Sequence, residues 1–313
     1  MTKLEQLIEE LCPNGVEFKK IKDVFQRLKG TPITAGKMKE IEKPNGEIKI
    51  FAGGKTVINA NEADIPNAKI TRVPAVLVQS RGVIDVIYYE KPFTFKNEMW
   101  AYTTDNKTTV KYLYYVLKNN IQHFRDAASG MGSLPQISLP VTEEFYVPVP
   151  PLPVQSEIVR ILDNFTELTA ELTAELTAEL TARKQQYDYY NNILLSFDNP
   201  TYQTLEELCD IVDYRGKTPR KVDEGIFLVT AKNIRKGFID YDKSKEYISP
   251  EDYDEVMHRG FPKMGDVLIT TEAPCGNVAQ IDNENIALAQ RVIKYRPKSN
   301  NLNSTFLKYV LLG

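Results

Sequence analysis

The chain has 313 residues, 42% of them hydrophobic, and a formal net charge of −3 at pH 7. That apolar share is enough for packed cores and excludes a disordered chain, and the length suggests about two domains. There is no run of about 18 apolar residues, and Met1-Thr2-Lys3-Leu4-Glu5 reads as a polar helix start, so neither a membrane span nor a signal peptide is expected. Cys12, Cys209 and Cys275 are scattered, which suits a reducing cytoplasm, and two histidines without paired cysteines argue against zinc.

In chain order, residues 2–11 read as a short amphipathic helix, followed by a turn at Pro13-Asn14-Gly15. From there to about residue 149 come short β runs with Gly, Pro and Asn between them. Ile48–Phe51, Ala75–Val78 and Val83–Tyr89 are examples. A helix rich in Tyr and Leu is expected over Val110–Asn119, and Phe145–Val149 closes the domain as a strand. Pro150-Pro151-Leu152-Pro153 then starts a long helix, with Pro153 at its first position. Phe197-Asp198-Asn199-Pro200 ends it, which predicts about 44 residues, or about 66 Å.

Within that helix Thr-Ala-Glu-Leu occurs three times, at 169–172, 173–176 and 177–180, before Thr181-Ala182. A four-residue repeat drifts about 40° per step, so the row Leu168, Leu172, Leu176 and Leu180 winds around the helix. A fixed packing seam wants 3.5 or 3.6 residues. Ile158, Ile161, Leu162 and Phe165 at one end, and Tyr187, Tyr190 and Leu194 at the other, keep helical spacing. This predicts two anchored ends, where partners or a second helix pair, and a middle that sets length. Each tetrad adds about 6 Å.

Residues 201–313 repeat the plan of the first part. Asp23-Val24 with Gly30-Thr31-Pro32 is echoed by Asp210-Ile211 with Gly216-Lys217-Thr218-Pro219. Pro74–Val78 is echoed by Gly265–Ile269, and Tyr112–Leu117 by Phe306–Leu311. The expected fold is mixed α/β (α+β): two repeated domains, 1–150 and 199–313, linked by a coiled-coil-type helix over 151–198. The second copy has no counterpart of Gln122–Phe197. A lone long helix with hydrophobic ends is unstable in water, so either the chain is a shortened form or another molecule supplies a second helix.

The charge is unevenly spread. Residues 1–150 carry 20 Lys and Arg against 17 Asp and Glu, 151–197 carry 3 against 7, and 198–313 carry 16 against 18. The acidic share lies largely on the helix, leaving basic clusters around Lys19–Lys29 and Arg215–Lys221 that can hold phosphates.

Taken together, these residues make the chain resemble the specificity subunit of type I restriction–modification systems. The resemblance rests on Pro150–Val159 leading to Leu162–Phe165, the tetrads, Arg183–Tyr187 and Leu194-Leu195. In the second domain it rests on Tyr214–Pro219, Lys232–Gly237, Gly265–Ile269 and Leu288–Arg291. It implies two target-recognition domains that each read half of a split double-stranded DNA sequence. Paired helices then set the unread spacer and dock two methyltransferase subunits, and motor/nuclease subunits join that core. S-adenosylmethionine is expected on the methyltransferase partner, with no cofactor in this chain. The missing distal helix departs from the family pattern, in which shortened chains can restore symmetry by self-pairing.

No catalytic or metal constellation is expected. Asp198-Asn199-Pro200-Thr201-Tyr202 has Thr where an amino-methyltransferase motif needs a second proline. Phe51–Lys55 lacks the Gly-x-Gly-x-x-Gly pattern, and Glu47-Ile48-Lys49 lacks a placed acidic partner for a nuclease. Neither His123 nor His258 sits in a recognisable triad.

DNA contact needs cations, exposed N–H groups and glycines that admit a close backbone. In the first domain that selects Lys29, Gly30, Thr31, Lys55, Arg81, Gly82, Ser129 and Gly130. In the second it selects Arg215, Gly216, Lys217, Thr218, Arg220, Lys232, Asn233, Arg235, Lys236, Cys275 and Gly276. Tyr112–Tyr115 reads as core. The competing readings are a coiled-coil scaffold flanked by protein- or sugar-binding domains, and a self-contained methyltransferase.

Overall fold

The computed structural model describes residues 1–313 apart from 55, 130–133, 217 and 290. The chain divides into two compact units, Met1–Thr177 and Ala178–Gly313.

The first unit opens with α1 (Lys3–Leu11), whose N-terminus is closed by a capping box between Thr2 and Glu5. Then come β1 (Phe18–Lys20), α2 (Ile21–Val24), β2 (Gln26–Lys29), α3 (Ala35–Ile41), β3 (Ile48–Phe51) and β4 (Val57–Ala60). They are followed by β5 (Ala75–Gln79), β6 (Asp85–Tyr89), β7 (Phe93–Phe95) and β8 (Trp100–Thr103). α4 (Lys107–Asn119), α5 (Ile121–Asp126), α6 (Leu139–Glu143) and β9 (Tyr146–Pro148) complete it. β9 runs antiparallel to β1, tying the end of the domain to its start.

One sheet has the order β2-β8-β5-β6 and is antiparallel throughout. The other has the order β4-β3-β7, with β3 and β7 parallel. All five residues of β5 are buried, so this strand is an unbroken apolar run rather than an alternating one. α4 starts where Asn106 Oδ1 accepts from Thr109 N–H, and it buries Val110, Tyr112, Leu113 and Leu117. Tyr112 is therefore core, as its sequence context predicts.

The second unit contains α8 (Leu205–Leu208), β10 (Cys209–Asp213), β11 (Ile226–Val229), β12 (Tyr247–Ile248) and α9 (Tyr253–Val256). After these come β13 (Val267–Thr270), β14 (Val278–Gln280), β15 (Ile286–Leu288), β16 (Val292–Pro297) and α10 (Ser304–Leu312). Its sheets are β10-β16-β13-β14 and β12-β11-β15, with β11 and β15 parallel. Apart from the β1–β9 pair, these two sheets repeat the strand order of the first unit's two larger sheets, so the repeat read from the sequence is a repeat of topology. A buried ion cluster braces it: Asp266 and Lys294, each 2% exposed, lie 3.5 Å apart, and Arg296 reaches Asp266 at 2.7 Å. Burial pulls the Lys294 ammonium down from its ordinary value, against the raising effect of Asp266.

The long helix α7 (Leu152–Leu194) is continuous over 43 residues. It starts one residue before the expected Pro153, because the first-turn N–H groups have no intrahelical acceptor and prolines there cost nothing. It stops three residues short of Phe197, and Asn199 before Pro200 takes a left-handed φ of 53°.

Only its N-terminal end is covered. Val154, Gln155, Glu157 and Val159 are buried, and Ile158, Ile161 and Leu162 are half-buried. Asp163 accepts from Lys111 Nζ at 2.7 Å and from Tyr115 OH at 2.6 Å. Burial and that carboxylate push the Tyr115 hydroxyl up to about 12. Further along, Phe165 and Leu168 through Leu180 of the tetrad row are exposed, and Thr169 and Thr173 turn their hydroxyls back to the carbonyls one turn earlier. The other end has no cover within this chain: Tyr187, Tyr190 and Leu194 are 48%, 52% and 68% exposed. Only Asn191 and Leu195 lie against Gly313.

Glu157 ties α7 to α1. Its side chain is 4% exposed, bonded by Arg160 at 2.6 Å and Lys3 at 3.1 Å. The Arg160 hydrogen bonds hold its carboxyl at about 2. A carboxylate with a depressed folded value stabilises the fold above its unfolded value and loses that contribution as the pH falls through the folded one. Glu157→Gln should therefore lower stability at pH 7 in denaturant titrations, and the gap to wild type should close between about pH 4.5 and about 2. A gap that persists at pH 2 would refute the ion-pair account. For the open middle, Leu172→Ala and Leu176→Ala should each change the stability of the isolated chain by no more than about 0.5 kcal/mol. A loss of several kcal/mol would mean that the row is covered.

Candidate nucleic-acid interface

In the first unit the loops that leave β3, β5 and β7 meet at one end of the sheets. Gly54 N–H donates to Arg81 O at 3.1 Å, and Gln79 Nε2 donates to Gly54 O at 2.7 Å. Gly82 N–H donates to Pro135 O at 2.9 Å, and Ser129 N–H to Gln136 O at 2.9 Å. The candidates Arg81, Gly82 and Ser129 thus share one rim, with the Arg81 and Ser129 side chains exposed. Gly82 adopts φ of 79°, which its missing Cβ permits. Lys55 and Gly130 lie outside the described residues.

Lys29 is exposed, but its two neighbours serve the sheet. A Cβ on Gly30 would stand 2.4 Å from Phe95 O, so glycine is required for the approach of two backbones. Thr31 is 4% exposed; its hydroxyl pairs with Thr94 Oγ1 at 2.7 Å and accepts from Lys69 N–H at 2.8 Å. Gly30 and Thr31 are accordingly framework rather than contact surface, because the turn packs onto β7. Sequence reasoning also passed over Lys96 and Glu98, which follow β7. They pair at 3.1 Å, and Glu98 Oε1 accepts from Gly53 N–H at 3.3 Å.

In the second unit the equivalent turn stands free. Gly216 is exposed with φ of 131°, and Arg215 is paired with Asp213 at 2.6 Å. The Arg215 hydrogen bonds hold the Asp213 carboxyl below the usual carboxylate range. Arg259 clamps this turn from the side, its Nη1 donating to Asp213 O at 2.9 Å and Arg215 O at 2.7 Å. No sequence signal marks Arg259; only the loop before β13 brings it there. Thr218 and Arg220 line a 430 Å³ cavity with His258 and Arg259. On the other side of Pro219 a 260 Å³ cavity is lined by Lys221, Lys232, Ala273 and Arg291. Lys217 lies outside the described residues.

Asn233 is fully buried and its amide is used up. Its Oδ1 accepts from Thr230 N–H and Oγ1 at 3.0 and 2.8 Å, and its Nδ2 donates to Asp240 O and Ser244 O at 2.9 Å each. It shapes the loop that carries Lys232 instead of presenting a group at the surface. Arg235 sits 3.6 Å from Asp240, Lys236 is exposed, and Gly237 N–H holds Val278 O at 2.7 Å. Cys275 and Gly276 are exposed at the tip of the β13–β14 loop, equivalent to the Arg81–Gly82 tip.

These rims offer cations, backbone N–H groups and hydroxyls, the set that phosphate and base-edge contacts use. Among the described residues no group of three or more His, Cys, Asp and Glu could hold a metal ion. His123 packs 5.5 Å from Phe124 and 5.3 Å from Phe145, and His258 meets Glu255 O at 2.6 Å. No described helix is long and apolar enough to cross a membrane.

Residues 13–182 match the family model of the type I restriction modification DNA specificity domain. The chain is 39% identical over 160 residues to the EcoR124I/EcoR124II specificity subunit of Escherichia coli, covering 47% of this chain and 37% of that protein. It is 45% identical over 95 residues to the EcoprrI specificity subunit of Escherichia coli, covering 28% of this chain and 23% of that protein. It therefore spans less than half the length of these two relatives. Its fold is similar to that of the type I restriction–modification S subunit from M. genitalium, with a TM-score of 0.51 and 17% identity over 95% of this chain and 77% of that one. With more than half its length matched and the same architecture present, the chain belongs to the type I restriction modification DNA specificity domain family.

Proposed function

We propose that this chain is the non-catalytic, sequence-reading DNA-binding subunit of a type I restriction–modification complex. Residues 1–150 and 199–313 act as target-recognition domains, each reading one half of a split duplex target, and 151–198 is the spacer helix. The observation that carries this reading is the repetition of one strand order in both units, with exposed basic residues on equivalent strand-end loops. Each loop set fits a groove edge: Arg81 and Lys29 on one unit, and Arg215, Arg220, Lys232 and Lys236 on the other. The uncovered Phe165, Tyr187, Tyr190 and Leu194 are the surface for a second helix and for two methyltransferase subunits that bring S-adenosylmethionine. That second helix comes from a partner molecule, such as a second copy of this chain. Motor/nuclease subunits join through the same core, in the cytoplasm.

Selection from random-sequence duplexes, with the chain assembled on its methyltransferase partner, tests this reading. Recovery of a split motif with a fixed gap supports it, and recovery of no motif supports the scaffold alternative. Deleting Thr173–Leu176 removes about 6 Å of helix and should shorten the gap by about one to two base pairs, with the half-site letters unchanged. Altered letters with an unaltered gap would count against a helix that sets the spacing. Arg81→Ala and Lys232→Ala should each weaken binding to all sequences alike and reduce the salt slope by about 1. Full retention of affinity in both would remove these loops from the interface.

A further inference from the structure

The loop between β15 and β16 carries a residue that the reading of the basic clusters passed over. Arg291 adopts a left-handed φ of 74°, a conformation that residues other than Gly and Asn rarely take. An outlier of this kind persists only where its surroundings hold it, and it aims the side chain where an ordinary conformation would not. Here the surroundings are explicit. Thr271 N–H donates to Arg291 O at 2.9 Å, which pins the β13–β14 loop to the β15–β16 loop. Glu272, from the first of these loops, takes Arg291 Nε at 3.3 Å. Among the described residues Nη1 and Nη2 have no partner.

Three other arginines of this unit are spent differently. Arg215 gives both Nε and Nη2 to Asp213, which occupies one full edge of its guanidinium. Arg259 Nη1 is held by two backbone carbonyls, and Arg296 is committed to Asp266 and Phe261 O. Arg291, like Arg235 beside Asp240, approaches its carboxylate through Nε, and of the two it is the more exposed, 50% against 32%. It stands half-exposed on the rim of the 260 Å³ cavity, beside Lys221, Lys232 and Thr218. In the equivalent loop of the first unit, after β7, the cation pairs within its own loop: Lys96 with Glu98 at 3.1 Å.

The geometry points to Arg291 as a specificity-determining residue of the second unit, its terminal nitrogens reading a guanine in the major groove while its left-handed backbone sets where the fork is aimed. This assignment rests on the DNA-reading proposal above and goes further by naming the residue and the base. A guanidinium reads guanine through paired bonds to O6 and N7, and orienting the fork beforehand spares the entropy of finding that geometry. Lysine, a point charge, can hold a phosphate in the same place but cannot reproduce the paired contact.

The test compares wild type, Arg291→Lys, Arg291→Asn and Glu272→Gln, each assembled with the methyltransferase partner and selected against random-sequence duplexes. Asn tolerates the left-handed backbone, so a folding defect in the Lys variant would not hide the answer. The expected result is loss of preference for guanine at one position of one half-site, roughly ten- to a hundredfold, in both Arg291 variants. The other half-site and the gap stay as in wild type, and Glu272→Gln gives a smaller loss at the same position. Unchanged letters in both Arg291 variants overturn the assignment, and so does uniform weakening with a salt slope reduced by about 1 in Arg291→Asn alone, which marks a phosphate contact. If wild type selects no split sequence, the DNA-reading proposal falls and this assignment with it. If wild type selects one and the variants match it, only Arg291 falls.

Discussion

Two parallel strand pairs, β3 with β7 and β11 with β15, govern where the working loops of each unit end up. Parallel neighbours cannot be joined by a tight turn, so the chain must leave the sheet, travel, and return in the same direction. In both units the excursion includes a hairpin of the other sheet, β5–β6 or β13–β14. The returning strand then ends beside the one it left. Lys96 N–H meets Phe51 O at 2.9 Å in the first unit, and Ala289 N–H meets Val229 O at 2.9 Å in the second. Three loops far apart in sequence are brought to one rim as a consequence, and those rims carry the exposed cations.

The same constraint explains why similar sequence signals have different fates. The Gly30-Thr31 turn and the turn at Gly216 occupy equivalent places after equivalent strands, yet the first is drawn under the end of β7. Its glycine admits a carbonyl and its threonine bonds Thr94. The second turn is held from outside by Arg259 and keeps its exposure. A glycine in a basic stretch thus signals a close approach without saying whether the approaching partner is the protein's own backbone or a ligand.

α7 follows a different logic. Its first turns are fixed by buried Val154 and Val159 and by ion pairs through Glu157 and Asp163. Beyond Phe165 it is held by its own backbone bonds, by helix-favouring Ala, Leu and Glu, and by threonines bonded one turn back. A tetrad repeat suits such a stretch because adding or removing one unit changes length while leaving the composition alike. The large apolar groups at its far end, Tyr187, Tyr190, Ile193 and Leu194, are exposed in this chain. These exposed groups are the surface to which the proposed second helix is assigned.

What the sequence determined by itself was local or periodic: the long helix, the short strands around Ile48, Ala75 and Val83, the buried face of α4, and the repetition of plan between the halves. These rest on spacing and propensity, which act over a few residues and need no knowledge of the fold. What only tertiary structure decided was which polar groups remain free. Asn233 and Thr31 look like contact residues and are consumed inside. Arg259 and Lys96 carry no local signal, and they gain their contacts because the fold brings distant loops within hydrogen-bond reach. The far end of α7 is exposed within this chain, because apolar spacing marks a surface for burial without naming the molecule that covers it.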